Sequence, residues 1–125
     1  MISIDYQSRT PIYEQIVERF QTLILKGVLE PDTQMPSVRS LAVKLSINPN
    51  TIQKAYTLLE QQGYIYPVKG RGNFIADATT LLQQKKAYYL ELLEQDLRQS
   101  KDFGITKADC IDLIQNVFTE EVPHD

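Results

Sequence analysis

A mainly α-helical chain with one small β-hairpin is predicted by three features of the sequence. Two helix starts follow one another within residues 36–56, P-S-V-R-S-L-A-V-K-L-S-I-N-P-N-T-I-Q-K-A-Y. Two short β-branched and aromatic runs flank a glycine-containing turn in residues 64–76. Beyond Ala76, apolar side chains return at helical spacing over most of the remaining chain. Together these give a three-helix unit with a hairpin at residues 1–76 and a two-helix segment at residues 77–125.

The first helix opens at Thr10-Pro11, as cap and first residue. Ile12, Ile16, Phe20, Leu23 and Ile24 then recur at spacings of three and four until Gly27 ends it. Residues 28–33 form a turn leading to Met35, a core contact. Ser37 caps the second helix, whose apolar residues are Val38, Leu41, Ala42 and Leu45, and Ser46-Ile47 breaks it. Asn48 caps the third helix and Pro49 takes its first position, where a missing N–H is harmless; Ile52, Ala55, Tyr56 and Leu59 line its buried face as far as Gly63. Helices two and three are too short and too close to lie antiparallel. They must cross steeply as a helix-turn-helix, which leaves Asn50, Thr51, Gln53 and Lys54 on the outward, N-terminal side of the third helix, where side chains read base edges. An ordinary helical corner with a wet polar face has the same spacing. The hairpin runs through Tyr64-Ile65-Tyr66-Pro67-Val68, turns at Lys69-Gly70-Arg71-Gly72 and returns through Asn73-Phe74-Ile75-Ala76, with Pro67 tolerated on an edge strand.

At 125 residues the chain has room for one ordinary domain, or a small domain with an appendage. With 42% hydrophobic and 23% charged residues it folds rather than staying disordered. The net charge of −3 conceals an asymmetry. Residues 1–76 hold eight bases against six acids, whereas residues 77–125 hold five bases against ten acids. Within residues 35–72, Arg39, Lys44, Lys54, Lys69 and Arg71 face Glu60 alone, so positive charge gathers on the helix-turn-helix and the hairpin.

In the C-terminal part, Thr79 or Thr80 caps a helix through Leu81, Leu82, Tyr88, Tyr89, Leu90, Leu92, Leu93 and Leu97 to about Ser100, some ~30 Å long. Phe103-Gly104 breaks it. Thr106 caps the last helix, with Asp109 at the capping-box position and Ile105 placed to staple onto Cys110. Ile111, Ile114, Val117 and Phe118 form its apolar stripe. Such a pair cannot bury both stripes by itself, so a partner is implied. A second copy making a dimer through Leu82, Tyr89, Leu92, Leu93, Leu97, Ile114, Val117 and Phe118 is one solution; packing on the three-helix unit of the same chain is the other.

Little here suits catalysis. His124 stands alone, and Glu120, Glu121 and His124 on a terminal tail are ordinary solvated groups rather than a metal site. The G-R-G run lies in a hairpin turn and does not lead from a strand into a helix, so it is no phosphate loop. Cys110 is the only cysteine, which excludes an internal disulfide and a thiolate zinc cluster. Neither a basic leader followed by an apolar run nor a membrane span is present, which makes the cytoplasm the expected compartment. No cofactor is expected, and two helices leave little room for an enclosed effector site.

Three helices followed directly by a cation-tipped hairpin make a winged helix. Pro36, Ser37 and Arg39 match a P-S-x-R start to the second helix, and Gly70, Gly72, Phe74 and Ile75 match a G-x-G-x-(F/Y)-(I/V) wing. On these motifs the sequence, over roughly residues 10–76, resembles the DNA-binding domain of the GntR family of bacterial transcription regulators, and its N-P-N-T-I-Q-K-A-Y variant and short helical tail resemble the YtrA subfamily. Members often carry arginine where Pro49 and Gln53 stand here. The resemblance implies a dimeric, sequence-specific DNA-binding regulator, a repressor, on double-stranded DNA with an inverted-repeat operator. It implies that Ser37, Arg39 and Asn48 meet DNA, that Asn50, Thr51 and Gln53 face the major groove, and that Lys54 and Lys44 lie near phosphates, a solvated surface lysine being the other reading of Lys44. Lys69, Gly70, Arg71 and Gly72 then form a cationic, closely approaching loop at the minor groove or its flanking backbone. Tyr56 is mainly core, with its hydroxyl available to a phosphate. The competing reading is a winged-helix protein-interaction module, for which so one-sided a charge has no use.

Overall fold

The computed structural model describes residues 2–120. Five helices and one hairpin follow in order: α1 (Ile12–Leu25), α2 (Val38–Leu45), α3 (Pro49–Gln61), β1 (Ile65–Val68), β2 (Gly72–Ile75), α4 (Thr79–Ser100) and α5 (Lys107–Thr119). The chain divides between Leu82 and Gln83 into two compact units.

The first unit is built on α1 and α3. Ile16, Val17, Phe20, Leu23 and Ile24 are the buried side of α1, and Ile52, Ala55, Tyr56 and Leu59 that of α3. Phe20 and Tyr56 meet edge to face with ring centroids 5.9 Å apart. Each large side chain buried here contributes about 1.5–3 kcal/mol, and Met35, Leu41, Tyr64, Ile65 and Ile75 complete the same core. Both caps of the helix-turn-helix form as the sequence predicts. Ser37 Oγ accepts the Ser40 N–H at 3.0 Å and Asn48 Oδ1 accepts the Asn50 N–H at 2.8 Å. Between them Ser46 takes a left-handed conformation (φ 55°), which reverses the chain tightly enough for the Ile47 N–H to reach the Ala42 carbonyl.

The start of α1 differs from expectation. Pro11 occupies the cap position rather than the first turn, and no side chain caps the helix. Gln15 instead fastens the segment before the helix: its Nε2 donates to the Thr10 and Asp5 carbonyls, and its Oε1 accepts the Asp5 N–H. This ties the N-terminal arm to α1, and Ile2 and Ile4 pack against the core.

The hairpin is antiparallel with Ile65 opposite Ile75 and Val68 opposite Gly72. The turn before α2 joins it. Gln34 bridges to Phe74, the Met35 N–H donates to the Asn73 carbonyl, and the Ile75 N–H donates to the Thr33 carbonyl. β2 is therefore flanked on both sides, which puts Pro67 on the outer strand, where its missing N–H leaves no ladder bond unmade.

The first unit runs a little past the expected division at Ala76. Ala78 is buried in the core and Leu81 packs on it, because the first turn of α4 follows β2 directly. Thr79 and Thr80 lie inside α4 rather than capping it, and its start is fastened by Asp77, whose carboxylate accepts both the backbone N–H and the hydroxyl of Thr79. These bonds hold the Asp77 carboxyl below its ordinary value.

In the second unit α4 ends at a single tight turn, Lys101–Phe103, with Gly104 left-handed beyond it. Thr106 and Asp109 form the expected capping box on α5, and the same bonds lower the Asp109 carboxyl. Leu97, Lys101, Ile105, Cys110, Ile111 and Ile114 line an open apolar cleft of about 690 Å³. No helix among the described residues is long and apolar enough to cross a membrane. Glu121 and His124 lie outside the described residues, and no cluster among the described residues could hold a metal ion.

Candidate nucleic-acid interface

The helix-turn-helix and the wing lie in the first unit, and the face of α3 opposite its core stripe carries the amides. At 100° per residue Asn50, Gln53 and Thr57 fall on one line, all three exposed. Gln53 Nε2 donates to Thr57 Oγ1 at 3.3 Å. Thr57 extends the outward stripe by a turn and was not singled out from sequence; its i+4 spacing from Gln53 is the signal that could have found it. An amide on this line can give and accept hydrogen bonds at once, the pattern that adenine presents in the major groove.

Other predicted residues are placed less simply. Asn48 is exposed, with its side-chain carbonyl oxygen engaged in the cap. Thr51 is half-buried. Lys54, expected near a phosphate, stands over the Tyr13 ring of α1 with Nζ 3.9 Å from the centroid, because the α1–α3 packing brings that ring beneath it. The Tyr13 hydroxyl donates to Glu14 at 3.2 Å, and that bond raises the tyrosine's pKa. Tyr56 is turned inward: its hydroxyl donates to the Pro36 carbonyl at 2.8 Å and the side chain is 2% exposed, so it has nothing to offer a phosphate. Burial raises its pKa. Ser37, Arg39 and Lys44 on α2 are exposed.

At the wing, Lys69, Gly70, Arg71 and Gly72 are all exposed. Gly70 (φ 78°) and Gly72 (φ 111°) adopt conformations that residues with a Cβ avoid, which is why glycine alternates with base here. The Arg71 guanidinium lies 5.3 Å from the Phe74 ring. Tyr66 stacks on Phe74, and its hydroxyl donates to Asp32 at 2.7 Å, which raises the Tyr66 pKa.

In the second unit, Tyr89, Leu93, Leu97, Ile114, Val117 and Phe118 are exposed, Phe118 to 83%, and Leu92 is half-buried. Leu82 is half-buried within the first unit.

A capped helix presenting amides outward, with a glycine-alternated cationic hairpin in the same unit, defines a winged-helix DNA-binding protein. Residues 12–75 match the family described as "Bacterial regulatory proteins, gntR family", and the chain belongs to it. It is a helix-turn-helix transcription regulator that binds DNA. The chain is 46% identical to the "HTH-type transcriptional repressor YtrA" of Bacillus subtilis (strain 168), over 76% of this chain and 75% of that protein. A GntR family transcriptional regulator from Listeria monocytogenes shares the fold with a TM-score of 0.70 and 34% identity, covering 89% of this chain and 98% of that one. The DNA-binding domain of AraR, solved in complex with operator ORR3, matches with a TM-score of 0.52 and 31% identity over 59% of this chain and 89% of that one.

Proposed function

We propose that this regulator is a repressor that binds an inverted-repeat operator as a homodimer, in the cytoplasm where the chromosome is exposed to it. Residues 1–76 with the adjoining first turn of α4 bind DNA, and the remaining helices hold two such units together. Asn50, Thr51 and Gln53, with Thr57, read bases in the major groove. Ser37, Arg39 and Asn48 approach the duplex at the helix starts. Lys69, Gly70, Arg71 and Gly72 take the wing to the minor groove or its flanking phosphates. Lys54 serves mainly to bind α3 to Tyr13.

The observation that carries the dimer is the apolar stripe of the second unit. Tyr89, Leu93 and Leu97 recur every four residues along the second unit's part of α4, all three exposed, with Leu93 in the middle at 57%, and Leu82 lies one heptad earlier in the first unit, half-buried. Monomeric proteins rarely leave so continuous an apolar strip in water, and a second copy covers it symmetrically. Repression is supported by what the YtrA relative is named for, and operator binding by the AraR complex. The alternative, a protein-docking winged helix, has no use for exposed bases on both α2 and the wing.

Sedimentation and operator titration of the intact chain and Leu93→Glu test this together. The intact chain is expected to sediment as a dimer and Leu93→Glu as a monomer, with operator affinity lower by about a hundredfold or more. A monomeric intact chain, or a dissociated variant that binds as tightly, would refute it.

A further inference from the structure

The tip of the wing is held by a residue outside the hairpin. Gln34 Nε2 donates to the main-chain carbonyl of Arg71 at 2.6 Å. The tip is a short turn closed by the Arg71 N–H on the Val68 carbonyl at 2.9 Å, and both neighbours of Arg71 are glycines with positive φ. Two adjacent glycines give the backbone at Arg71 unusual freedom, so a bond to its carbonyl removes states that the turn alone would leave accessible. The fit is specific. A Cβ on Gly72 would stand 3.3 Å from Gln34 Nε2 and crowd it, so the bare glycine leaves the carboxamide room beside the carbonyl. Gln34 is in turn anchored. Its neighbours Thr33 and Met35 bond to Ile75 and Asn73 of β2 at 2.9 and 2.8 Å. Asp32, two residues earlier, accepts from Tyr66 of β1.

We propose that Gln34 is a positioning residue for DNA recognition: by holding the Arg71 carbonyl it sets the direction in which the Arg71 side chain leaves the wing. The inference rests on the wing being a DNA contact. In it, Gln34 acts through Arg71 and not by touching the duplex, and its contribution is ordering of the tip before DNA arrives.

The test is a double-mutant cycle on the full chain, titrating a duplex recovered by selection from a random library at several salt concentrations. Gln34→Met keeps the side-chain length and removes the donor. Arg71→Ala is expected to weaken binding and flatten the salt dependence by about one unit. Gln34→Met is expected to weaken binding about two- to tenfold, the range for one lost hydrogen bond, and to flatten the salt dependence, but only while Arg71 is present. With Arg71→Ala already made, adding Gln34→Met should change neither quantity. An equal effect in both backgrounds, or none with Arg71 present, overturns the inference and leaves the wing contact standing. An Arg71→Ala protein that binds like the intact chain overturns the wing reading itself and the inference with it. Should Gln34→Met lower the unfolding temperature, Gln34→Asn replaces it. That variant keeps the amide but falls one methylene short of the carbonyl, and carries the same expectations.

Discussion

Tyr56→Phe separates what holds the helix-turn-helix together from what touches DNA. The hydroxyl donates to the Pro36 carbonyl at 2.8 Å, the ring is 2% exposed, and it packs edge-on against Phe20. Removing the oxygen leaves the ring packing intact and takes the partner from a carbonyl immediately before the cap of α2. A lost hydrogen bond of this kind is worth about 1 kcal/mol, rising to ~3 where the remaining group is left without water. For a unit of this size, each 1 kcal/mol lowers the unfolding midpoint by roughly 4–8 °C. Circular dichroism melting of both proteins, alongside duplex titration, should show the midpoint falling by at least that much with base preference unchanged. Alkali gives a second reading. Burial raises the folded-state pKa above the ordinary 10.0, so above that pH the unfolded tyrosine ionises while the folded one stays protonated. Its contribution to stability is therefore full below pH 10 and declines as pH rises further. Tyr56→Phe should lessen that decline. An unchanged midpoint with weakened DNA binding would show that the hydroxyl faces a phosphate and that the inward assignment is wrong.

Further outcomes follow from the division between wing and recognition helix. Lys69→Ala with Arg71→Ala should weaken cognate and random duplexes alike and flatten the salt slope by up to about two units. Gln53→Ala should erode preference at one or two base positions, by roughly 1–3 kcal/mol if its contact is bidentate. Equal losses from both variants on cognate and random DNA would dissolve the distinction. Pro49→Ala, at the first position of α3, should alter thermal stability slightly and leave operator preference intact; competition with altered operators checks it, and a new preferred sequence would place Pro49 in the groove.

Most of the fold was legible because its elements are written in local patterns. The stripes Ile16–Phe20–Leu23 and Ile52–Ala55–Tyr56–Leu59 recur at the helical period, and Ser37, Asn48 and Thr106 each stand where a cap must. The misses share one cause: each depends on contacts between distant residues. Nothing local in Asp32-Thr33-Gln34-Met35 announces a partner for β2, since the run is short, polar and without alternation. Asp77, Thr79 and Thr80 are all competent caps, and the choice falls to where β2 releases the chain and Ala78 enters the core. Nothing near Lys54 in the chain announces that the Tyr13 ring, forty-one residues earlier, lies beneath its ammonium. Tyr56 likewise reads as half-available until Pro36 is found opposite its hydroxyl. The amide stripe on α3 was legible through Gln53, and Thr57 was missed because it reads as one more polar residue on a wet face.

Paired recognition of an operator by two copies of the chain is read out by selecting bound duplexes from a random library with the intact purified protein. An inverted repeat should be enriched, with half-site centres about 10 bp apart or a multiple of it, as two-fold related recognition helices require. Each half should depend on Asn50 and Gln53 for its bases, with strong salt dependence throughout. Recovery of a single unrepeated half-site bound by one chain, or no enrichment over the starting library, would contradict it.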